Sequence, residues 1–587
     1  MRTTLRSTPD LFPPRDRRRE RRRRVLRIAG GVLITLLLAL LAGGIWLRGR
    51  LSGSLPRLDG ELRADGLGAA VTIERDALGI PTIRGESRRD VAFALGFLHA
   101  QERFFQMDLL RRAAAGELAE LIGPAVLGTD RDIRVHRFRN VARSILLRMA
   151  MRELIDAYTG GVNAGLSSLS APPFEYLLLR SQPRPWQAED VVLAVLAMYI
   201  DLQPANGSRE SAVGLLYDVL PLQLADFLAA RGTAWDAPVA GYAEKTPSVP
   251  GPEVYDLRRQ ARREPYEQPR GAQSGPPGSS GYPNLARDPS GPPSAPAELG
   301  DVVNPLLGGF GDGRNVAGSN SWAVAGSRTA DAGALLAGDM HLDLAVPNIW
   351  YRASMAYPDV HGTARVVTGV TLPGTPALVV GSNGDVAWTF TNSNVDASDL
   401  VLLDFADDAE LMYGTADGPR ALERHVEVIH VRGGEDDTLV VLESIWGPVV
   451  DRDHAGRMRV LRWVAHDDNA VNLGLVEMEQ TRNIEEALEV ANRTGIPAQN
   501  CVMADRSGRI AWTIMGLLPR RFGLDGRRPS SWADGSRGWD GTLTPAEYPR
   551  IVDPAEGRIW TANARVVDGE MLSLLGDGGY ALGARAR

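Results

Sequence analysis

The sequence predicts an α+β protein in which helices dominate the first part of the chain and strands the last part. Apolar residues recur at helical spacing between about residues 88 and 230, whereas the alternation typical of strands dominates after Ser319. A stretch rich in Pro, Gly, Ser and Arg, from Pro247 to Leu299, separates the two parts. At 587 residues the chain exceeds one ordinary core, so we expect two or more folding units.

The N-terminal segment is first basic and then apolar. Arg15 to Arg24 is a dense basic run, and Ile28 to Leu47 contains no charged residue. About 20 apolar residues in a helix span the hydrocarbon core of a bilayer, and a basic flank stays cytoplasmic. We therefore expect a cytoplasmic tail at residues 1–27, a membrane anchor at residues 28–47 and the rest of the chain on the extracytoplasmic side. A cleaved signal peptide is the alternative.

The composition argues against several classes of protein. A net charge of -7 on so long a chain argues against a nucleic-acid partner. Cys501 is the single cysteine, which excludes an internal disulfide. Lys245 is the single lysine, and it is not part of a Ser-x-x-Lys pattern. The Gly-x-Ser-x-Gly and His-Glu-x-x-His patterns are also absent from the sequence, so other common hydrolase classes fit poorly.

Local patterns predict several elements before the Pro-rich stretch. Val71 to Glu74 alternates like a strand, and Ser87 to Asp90 resembles a helix-capping signature. The apolar residues that then recur at helical spacing are Val91, Leu95, Leu98, Phe105 and Leu109. Further helix is expected from Val141 to Leu169 and from Ala188 to Ala230.

Two strands joined by a short loop are expected after the Pro-rich stretch. The runs Ser319 to Gly326 and Gly333 to Leu342 are strand-like, and turn-forming residues lie between them. With the loop centred near Ala330, Ser319 faces His341 across an antiparallel pair. Opposed residues in such a pair have Cβ atoms roughly 4.5–5.5 Å apart. The pairing predicts a serine beside a histidine, and an ordinary strand-end histidine is the alternative.

The same hairpin carries a resemblance to a known family. Gly-Ser-Asn-Ser-Trp-Ala-Val from Gly318 to Val324, followed by Asp-Met-His-Leu at residues 339–342, resembles the start of the β chain in the penicillin acylase family. The stretches Ile73 to Pro81 and Gly96 to Met107 resemble that family's α chain. The resemblance implies an N-terminal-nucleophile hydrolase with an αββα sandwich, in which helices cover two antiparallel sheets.

The resemblance also implies that the precursor cuts itself after Gly318 and that Ser319 becomes the catalytic nucleophile. A serine hydroxyl needs a base to take its proton. A free α-amino group has a pKa of about 7.7–8.0, so part of it is neutral near pH 7. Cleavage would give Ser319 this base. A histidine at position 341 resembles the cephalosporin and acyl-homoserine lactone acylase branch. His341 would orient or tune the new amine or donate to the oxyanion.

Three more catalytic residues follow from the resemblance. Acyl transfer needs hydrogen-bond donors for the developing oxyanion. The strand that ends at Asn392 matches the one that supplies a backbone N–H, and the segment at Asn500 matches the one with a side-chain amide donor. An ordinary turn asparagine is the alternative at Asn500. Arg521 best matches an active-site arginine, with a solvated basic loop as the alternative.

Acidic residues suggest a metal site. Glu210, Asp396 and Asp399 match carboxylates that hold a structural Ca²⁺ in some members of the family. Hard oxygen ligands suit Ca²⁺. The resemblance therefore implies structural Ca²⁺ and no cofactor for catalysis, whereas the alternative is a solvated acidic loop.

The expected organisation is an acylase α-chain region at residues 48–240, a spacer at 241–318 and a β-chain region at 319–587. The spacer would be excised, with a flexible linker as the alternative, and the two processed chains would associate as a heterodimer. The expected reaction is hydrolysis of the amide bond of a small N-acyl substrate: a β-lactam, an acyl-homoserine lactone or a related amide. Leu342 in place of an aromatic residue favours an aliphatic acyl group.

The β-chain region is expected to be incomplete. Chains of the family continue well beyond the segment that matches Thr561 to Arg565, whereas this chain stops at Arg587. The alternative function is a membrane-anchored acylase-like binding protein, catalytically inactive or truncated, which would hydrolyse no acyl amide.

Overall fold

The computed structural model describes residues 17–256, 258, 318–342, 345–359, 361–407 and 411–587. Most of the predicted spacer and the first part of the predicted cytoplasmic tail lie outside these ranges. The α-helices are α1 (Arg17–Gly53), α2 (Arg88–Ala115), α3 (Ala119–Ile122), α4 (Leu127–Arg134), α5 (Phe138–Arg148), α6 (Arg152–Ser168), α7 (Phe174–Leu178), α8 (Ala188–Leu202), α9 (Ser208–Val219), α10 (Leu222–Leu228), α11 (Ile484–Ala491) and α12 (Gly569–Leu575).

The strands are β1 (Thr72–Arg75), β2 (Pro81–Arg84), β3 (Gly318–Val324), β4 (Leu335–His341), β5 (Tyr351–Pro358), β6 (Ala364–Thr371), β7 (Leu378–Ser382), β8 (Val386–Asn392), β9 (Ser398–Leu402), β10 (Phe405–Asp407), β11 (Met412–Tyr413), β12 (Arg420–Ala421), β13 (Glu423–Ile429), β14 (Asp437–Ser444), β15 (Gly447–Arg452), β16 (Met458–Trp463), β17 (Gln499–Asp505), β18 (Ile510–Met515), β19 (Pro519–Phe522), β20 (Ser530–Ser531), β21 (Gly538–Thr542), β22 (Arg550–Val552) and β23 (Arg558–Thr561).

Helix α1 contains the apolar N-terminal segment. Its stretch Arg21–Gly53 is long and apolar enough to cross a membrane, and its large apolar side chains are exposed. A signal sequence near an N-terminus meets the same criteria of length and composition. The anchor and the signal-peptide interpretations both fit this helix.

Helix α2 is the centre of the helical layer. The hydroxyl of Ser87 caps its N-terminus by accepting a hydrogen bond from the backbone N–H of Asp90 at 3.0 Å. Gly116 ends the helix in the left-handed conformation, with φ 63°. The predicted apolar face is buried at Val91, Leu95, Leu98 and Leu109 and half-buried at Phe105. The predicted cap and face are thus confirmed.

Helices α2 and α6 touch through their backbones. A Cβ atom on Gly161 or Gly165 of α6 would collide with the carbonyl groups of Phe93 and Phe97 on α2. Glycine at these positions therefore allows the close crossing. Because α2 also packs against β5, the crossing ties α6 to the sheet.

The largest sheet contains strands from both sides of the predicted spacer. Its order is β1-β2-β5-β6-β7-β8-β17-β18-β22. Neighbouring strands are antiparallel except β2 and β5, which run parallel with Thr82 opposite Ser354. Residues before and after the spacer also share one hydrophobic core. The two parts of the chain consequently form one folding unit.

A three-stranded sheet of order β23-β3-β4 packs on the other face of the large sheet, against β8 and β17. Apolar side chains fill the space between them, among them Ala323, Val502, Trp512 and Ile559. The described residues therefore show helices on one face of the large sheet and the small sheet on the other. The complete αββα sandwich stays a prediction.

A further six-stranded sheet has the order β13-β14-β15-β16-β9-β20. It has its own core around Val401, Tyr413, Val460 and Trp532. The sequence patterns do not predict this unit. It bears on the candidate sites because β9 carries Asp399 into the acidic cluster described below.

Candidate active site

The hairpin of β3 and β4 has a register that differs from the predicted one. Gly318 opposes His341, and Ser319 opposes Met340. Because side chains alternate along a strand, a shift of one residue moves the histidine to the opposite face of the sheet from the serine hydroxyl. The prediction that Ser319 and His341 are cross-strand partners is therefore wrong.

His341 borders the predicted cleavage bond instead. Its Nε2 lies 2.8 Å from Oδ2 of Asp339 and 3.3 Å from the side-chain nitrogen of Asn320. With the proton on Nε2 donated to Asp339, Nδ1 is left as an acceptor. A Cβ atom on Gly318 would lie 3.0 Å from this Nδ1. The imidazole thus faces Gly318 rather than the hydroxyl of Ser319.

Asn563 contacts both the backbone and the hydroxyl of Ser319. Its Oδ1 accepts the Ser319 N–H at 2.7 Å, and its Nδ2 donates to the Ser319 Oγ at 3.2 Å. Nδ2 also donates to the carbonyl of Asn392 at 3.0 Å. These bonds fix the orientation of the amide. Asn563 has φ 64°, a left-handed conformation that asparagine adopts more readily than most residues.

The backbone of Asn392 supplies a second donor. Its N–H lies 3.2 Å from the Oγ of Ser319, at the end of β8. Its side-chain nitrogen donates to the carbonyl of Leu202 at 2.8 Å, which ties this strand end to α8. The structure places Asn392 where the resemblance implies, and its role as an oxyanion donor stays a prediction.

Asn500 lies deeper, between the two sheets, and is fully buried. Its Nδ2 donates to the Oγ1 of Thr391 at 2.9 Å, and its Oδ1 accepts from the indole N–H of Trp512 at 3.1 Å. No hydrogen bond joins Asn500 to Ser319 among the residues that the structure describes. The position expected for the side-chain amide donor is taken by Asn563.

Arg585 completes the surroundings of Ser319. Its Nη1 donates to the Ser319 carbonyl at 3.0 Å and to Oδ1 of Asn320 at 2.8 Å. Its Nη2 donates to Oδ1 of Asn563 at 2.7 Å. Neither Asn563 nor Arg585 is among the site residues predicted from the sequence. The position of Asn563, just after strand β23, is a local sequence signal for a site residue. No local sequence signal points to Arg585.

Arg521 lies in an acidic cluster rather than beside Ser319. Its Nε donates to Oδ2 of Asp399 at 2.7 Å, and its Nη2 pairs with Oδ1 of Asp396 at 3.1 Å. The indole of Trp539 also donates to Oδ2 of Asp399. The arginine that contacts Ser319 is Arg585, so Arg521 does not occupy the place expected for it.

The acidic cluster contains three buried carboxylates, Glu210, Asp396 and Asp399. One oxygen of each has no hydrogen-bond partner among the described residues: Oε1 of Glu210, Oδ2 of Asp396 and Oδ1 of Asp399. Burial raises the pKa of Asp396 to about 7, although the guanidinium of Arg521 opposes this. Burial and the neighbouring carboxylates also hold the pKa of Glu210 well above its usual value.

These oxygens suit Ca²⁺ by type. A Cβ atom on Gly526 would lie 2.5 Å from Oδ2 of Asp396 and 3.1 Å from Oδ1 of Asp399, so glycine leaves space over them. Nevertheless, across the described ranges no three His, Cys, Asp or Glu side chains are arranged to hold one ion together. Arg521 already neutralises part of the charge. Binding of Ca²⁺ by Glu210, Asp396 and Asp399 stays a prediction.

An apolar cavity of about 110 Å³ opens next to Ser319. Its walls come from α8, β4, the loop between β6 and β7 and the segment before β17. The apolar side chains that line it include Val195, Met198, Leu342, Leu372, Phe390 and Ile496. An apolar cavity of this order holds a small hydrocarbon group. The hydroxyl of Ser319 therefore lies between two N–H donors and a pocket for an apolar group.

Comparison with known proteins gives consistent matches. The chain matches the penicillin amidase family over residues 70–587. It is 29% identical over 540 residues to the acyl-homoserine lactone acylase QuiP of Pseudomonas aeruginosa, covering 89% of this chain and 58% of that protein. It is 30% identical over 534 residues to the penicillin acylase 2 proenzyme of Pseudomonas sp. (strain SE83), covering 89% of this chain and 62% of that protein.

A solved structure, the thermostable penicillin G acylase from Alcaligenes faecalis, aligns with 41% of this chain and 43% of that chain, at 23% identity and a TM-score of 0.35. The chain spans less than two thirds of the length of the two curated relatives. The family match extends over most of the chain and includes the hairpin with Ser319 and the segments with Asn392 and Asn563. The resemblance inferred from the sequence is thereby confirmed, and this chain, with its mixed helices and sheets, belongs to the penicillin amidase family.

Proposed function

We propose that this chain is the precursor of an amide hydrolase whose nucleophile is the hydroxyl of Ser319. The observation that supports this most strongly is the pair of N–H donors at its Oγ, from Asn392 and Asn563, both at 3.2 Å. In acyl transfer the negative oxygen forms on the carbon that this Oγ attacks. Donors that are already in place close to this oxygen stabilise its negative charge.

Cleavage after Gly318 would supply the base. The N–H that Ser319 donates to Oδ1 of Asn563 belongs to the peptide bond with Gly318. Once that bond is cut, the same nitrogen is an α-amine, and Asn563 holds it beside its own hydroxyl. The positive charge of Arg585 near Ser319 favours the neutral form of the amine, which is the form that accepts a proton.

The proposed reaction has two steps. The α-amine takes the hydroxyl proton while Oγ attacks the amide carbon, and Asn392 and Asn563 donate to the oxyanion. The amine then passes the proton to the leaving nitrogen, which leaves an ester between the acyl group and Ser319. Water, activated by the same amine, hydrolyses this ester and restores the enzyme.

The cavity favours an aliphatic acyl group. Met198, Met340 and Leu342 contribute flexible aliphatic side chains to its wall. Two relatives are named acyl-homoserine lactone acylase and penicillin acylase, and both names imply substrates with an acyl amide. We therefore propose a small N-acyl amide as the substrate: an acyl-homoserine lactone, a β-lactam or a related compound.

The rest of the molecule supports proposals about processing and location. Excision of residues 241–318 would leave two chains that stay together as a heterodimer, because strands from both share the large sheet. His341, beside Gly318, would assist the cleavage of that bond rather than each turnover. Helix α1 would hold the protein at a membrane with its catalytic part on the extracytoplasmic side.

The test compares Ser319→Ala with Ser321→Ala in the full chain. Ser321 is a buried serine on the same strand whose hydroxyl lies 2.8 Å from the Oγ1 of Thr561, so it is a matched control. We expect Ser321→Ala to be cut and active, with Ser-Asn-Ala-Trp at the start of its large fragment, where the wild type has Ser-Asn-Ser-Trp. Ser319→Ala should stay uncut and hydrolyse no acyl-homoserine lactone or penicillin.

An uncut wild-type chain with full activity would contradict the self-cleavage. Turnover by Ser319→Ala would contradict the choice of nucleophile. A correctly cut protein without turnover on these amides would instead favour the acylase-like binding protein.

A further inference from the structure

One wall of the cavity is a loop that belongs to no strand. Leu372, Thr375 and Ala377, between β6 and β7, line the cavity beside Ser319. Gly374 at the centre of the loop has φ 118°. Since no strand pairing holds this loop, contacts from outside the sheet decide how far the wall reaches into the cavity.

Two fully buried side chains of the helical layer provide such contacts. The hydroxyl of Tyr158 on α6 accepts the N–H of Gly374 at 2.9 Å and lies 2.7 Å from Nδ1 of His99 on α2. Nε2 of His99 lies 3.0 Å from Oγ1 of Thr371. The Thr371 hydroxyl in turn donates to the carbonyl of Tyr351 at 3.1 Å.

One arrangement of protons satisfies all of these groups. Because the oxygen of Tyr158 accepts from Gly374, its proton is free to donate to Nδ1 of His99. The proton on Nε2 then goes to Thr371, whose own proton goes to Tyr351. The imidazole must therefore be neutral with its proton on Nε2. Burial lowers the pKa of His99 to about 3, which keeps it neutral.

The helices that carry this chain of hydrogen bonds have little freedom to slide. Gly161, on the helix of Tyr158, meets the backbone of Phe93, on the helix of His99, without room for a Cβ atom between them. A Cβ atom on Gly374 would likewise lie 2.9 Å from the Cβ of Ala194 on α8. The loop is therefore bonded to a rigid support at Thr371 and Gly374.

We propose that His99 and Tyr158 are positioning residues that hold the loop against the helical layer and thereby set which length of linear aliphatic acyl chain the cavity accepts. Neither residue lines the cavity, so they act through Leu372, Thr375 and Ala377. The inference rests on the proposed function, because acyl-chain length matters only if this cavity binds the acyl group.

The test uses Tyr158→Phe and Thr371→Val in the full-length protein. Each substitution removes hydrogen bonds at one end of the series that runs through His99, and each largely keeps the shape of the side chain. Tyr176→Phe is the control. Tyr176 is a buried tyrosine whose hydroxyl donates to Asp108 at 2.6 Å, and it does not line the cavity. Activity is measured as kcat and KM on a series of N-acyl-homoserine lactones of increasing acyl length.

We expect Tyr158→Phe and Thr371→Val to reduce the discrimination in kcat/KM between the best chain and the next longer one by about tenfold. The loss of discrimination should appear in KM, and kcat should change by about twofold or less. The Gly374 amide should exchange its hydrogen about tenfold faster in Tyr158→Phe. Tyr176→Phe should leave the length profile and this exchange rate unchanged.

Unchanged exchange at Gly374 in Tyr158→Phe would overturn the proposal. Faster exchange with an unchanged length profile in both variants would overturn it too. Agreement between Thr371→Val and Tyr158→Phe excludes an effect of misfolding in one of them. A wild-type protein that hydrolyses no acyl amide would contradict the proposed function. Hydrogen exchange at Gly374 needs no turnover, so it would still show whether Tyr158 holds the loop.

Discussion

Replacing Asn563 with alanine tests the assignment of the oxyanion donors directly. The side chain donates to Oγ of Ser319 and accepts from its N–H, and both contacts disappear in Asn563→Ala. The backbone N–H of Asn392 remains at 3.2 Å from the same oxygen. Loss of one such donor costs about 2.7–4 kcal/mol in the transition state, which lowers kcat by about 10²–10³-fold. Activity should therefore fall by that factor without vanishing.

Asn500→Ala is the contrasting change, because the family resemblance implies the side-chain donor at that residue. In the structure its amide pairs with Thr391 and Trp512. Its removal leaves the indole N–H of Trp512 unpaired in the interior, which costs about 1–3 kcal/mol of stability. Turnover per folded molecule should stay close to that of the wild type.

The assay is kcat on an acyl-homoserine lactone, normalised to the amount of newly exposed N-terminal serine, so that slow self-cleavage does not distort it. Urea unfolding of each variant gives the stability. A kcat for Asn563→Ala within about threefold of the wild type would refute the assignment, since one donor is worth about a hundredfold or more. An equal loss of kcat in Asn500→Ala would refute it as well.

Three further changes test the surroundings. His136 is buried with a ring nitrogen 3.2 Å from one of His466, and burial lowers its pKa to about 4. Between about pH 6.5 and pH 4, His136 is therefore protonated in the unfolded chain but not in the folded chain, so the free energy of unfolding falls as the pH falls. His136→Phe should make this fall smaller, as measured by urea unfolding. Asp396 has the opposite effect on the pH dependence of stability. Its pKa of about 7 in the folded chain lies above the value in the unfolded chain. Its contribution to the free energy of unfolding is therefore complete below about pH 4 and is lost as the pH rises through 7. Asp396→Asn should remove this slope, and added Ca²⁺ should raise the melting temperature above pH 7 in the wild type more than in this variant; an equal response in both would count against the metal site. Ala377→Leu fills part of the cavity and should shift the best substrate towards shorter acyl chains; an unchanged length profile would speak against acyl binding there.

Elements defined by short-range signals are predictable from this sequence. Helix α2 begins at the predicted capping serine, Ser87, and buries most of the predicted face. Both signals are contained within a few neighbouring residues, because a cap spans one turn and an apolar face repeats every turn. The predicted helix from Val141 to Leu169 is interrupted at Met149, between α5 and α6, where the pattern of apolar residues gives no warning.

The register of the hairpin is less predictable. It depends on the conformation of the loop, in which Gly326–Arg328 form a short 3-10 turn and Ala332 has φ 59°. A turn motif such as Asn-Gly would have fixed the pairing, but the loop contains none. An error of one residue is enough to put His341 on the wrong face.

The candidate site also depends on contacts between distant parts of the chain. Asn563 reaches Ser319 because β23 pairs with β3, across a separation of 244 residues. Asn500 is the second residue of β17 and Asn563 lies two residues after β23, and the sequence pattern alone does not show which of them meets Ser319. Only the packing of the small sheet on the large one shows which amide meets the serine.

The parallel pairing of β2 with β5 has a consequence for the order of events in the life of this protein. While the chain is continuous, the two strands find each other within one molecule, and the free-energy cost of closing the connection rises only slowly with its length. After excision of the connecting segment, the same pairing would require the association of two separate chains, at a rate that depends on concentration. Folding must then precede cutting, and a mature enzyme that unfolds in dilute solution would regain its sheet far more slowly than its precursor.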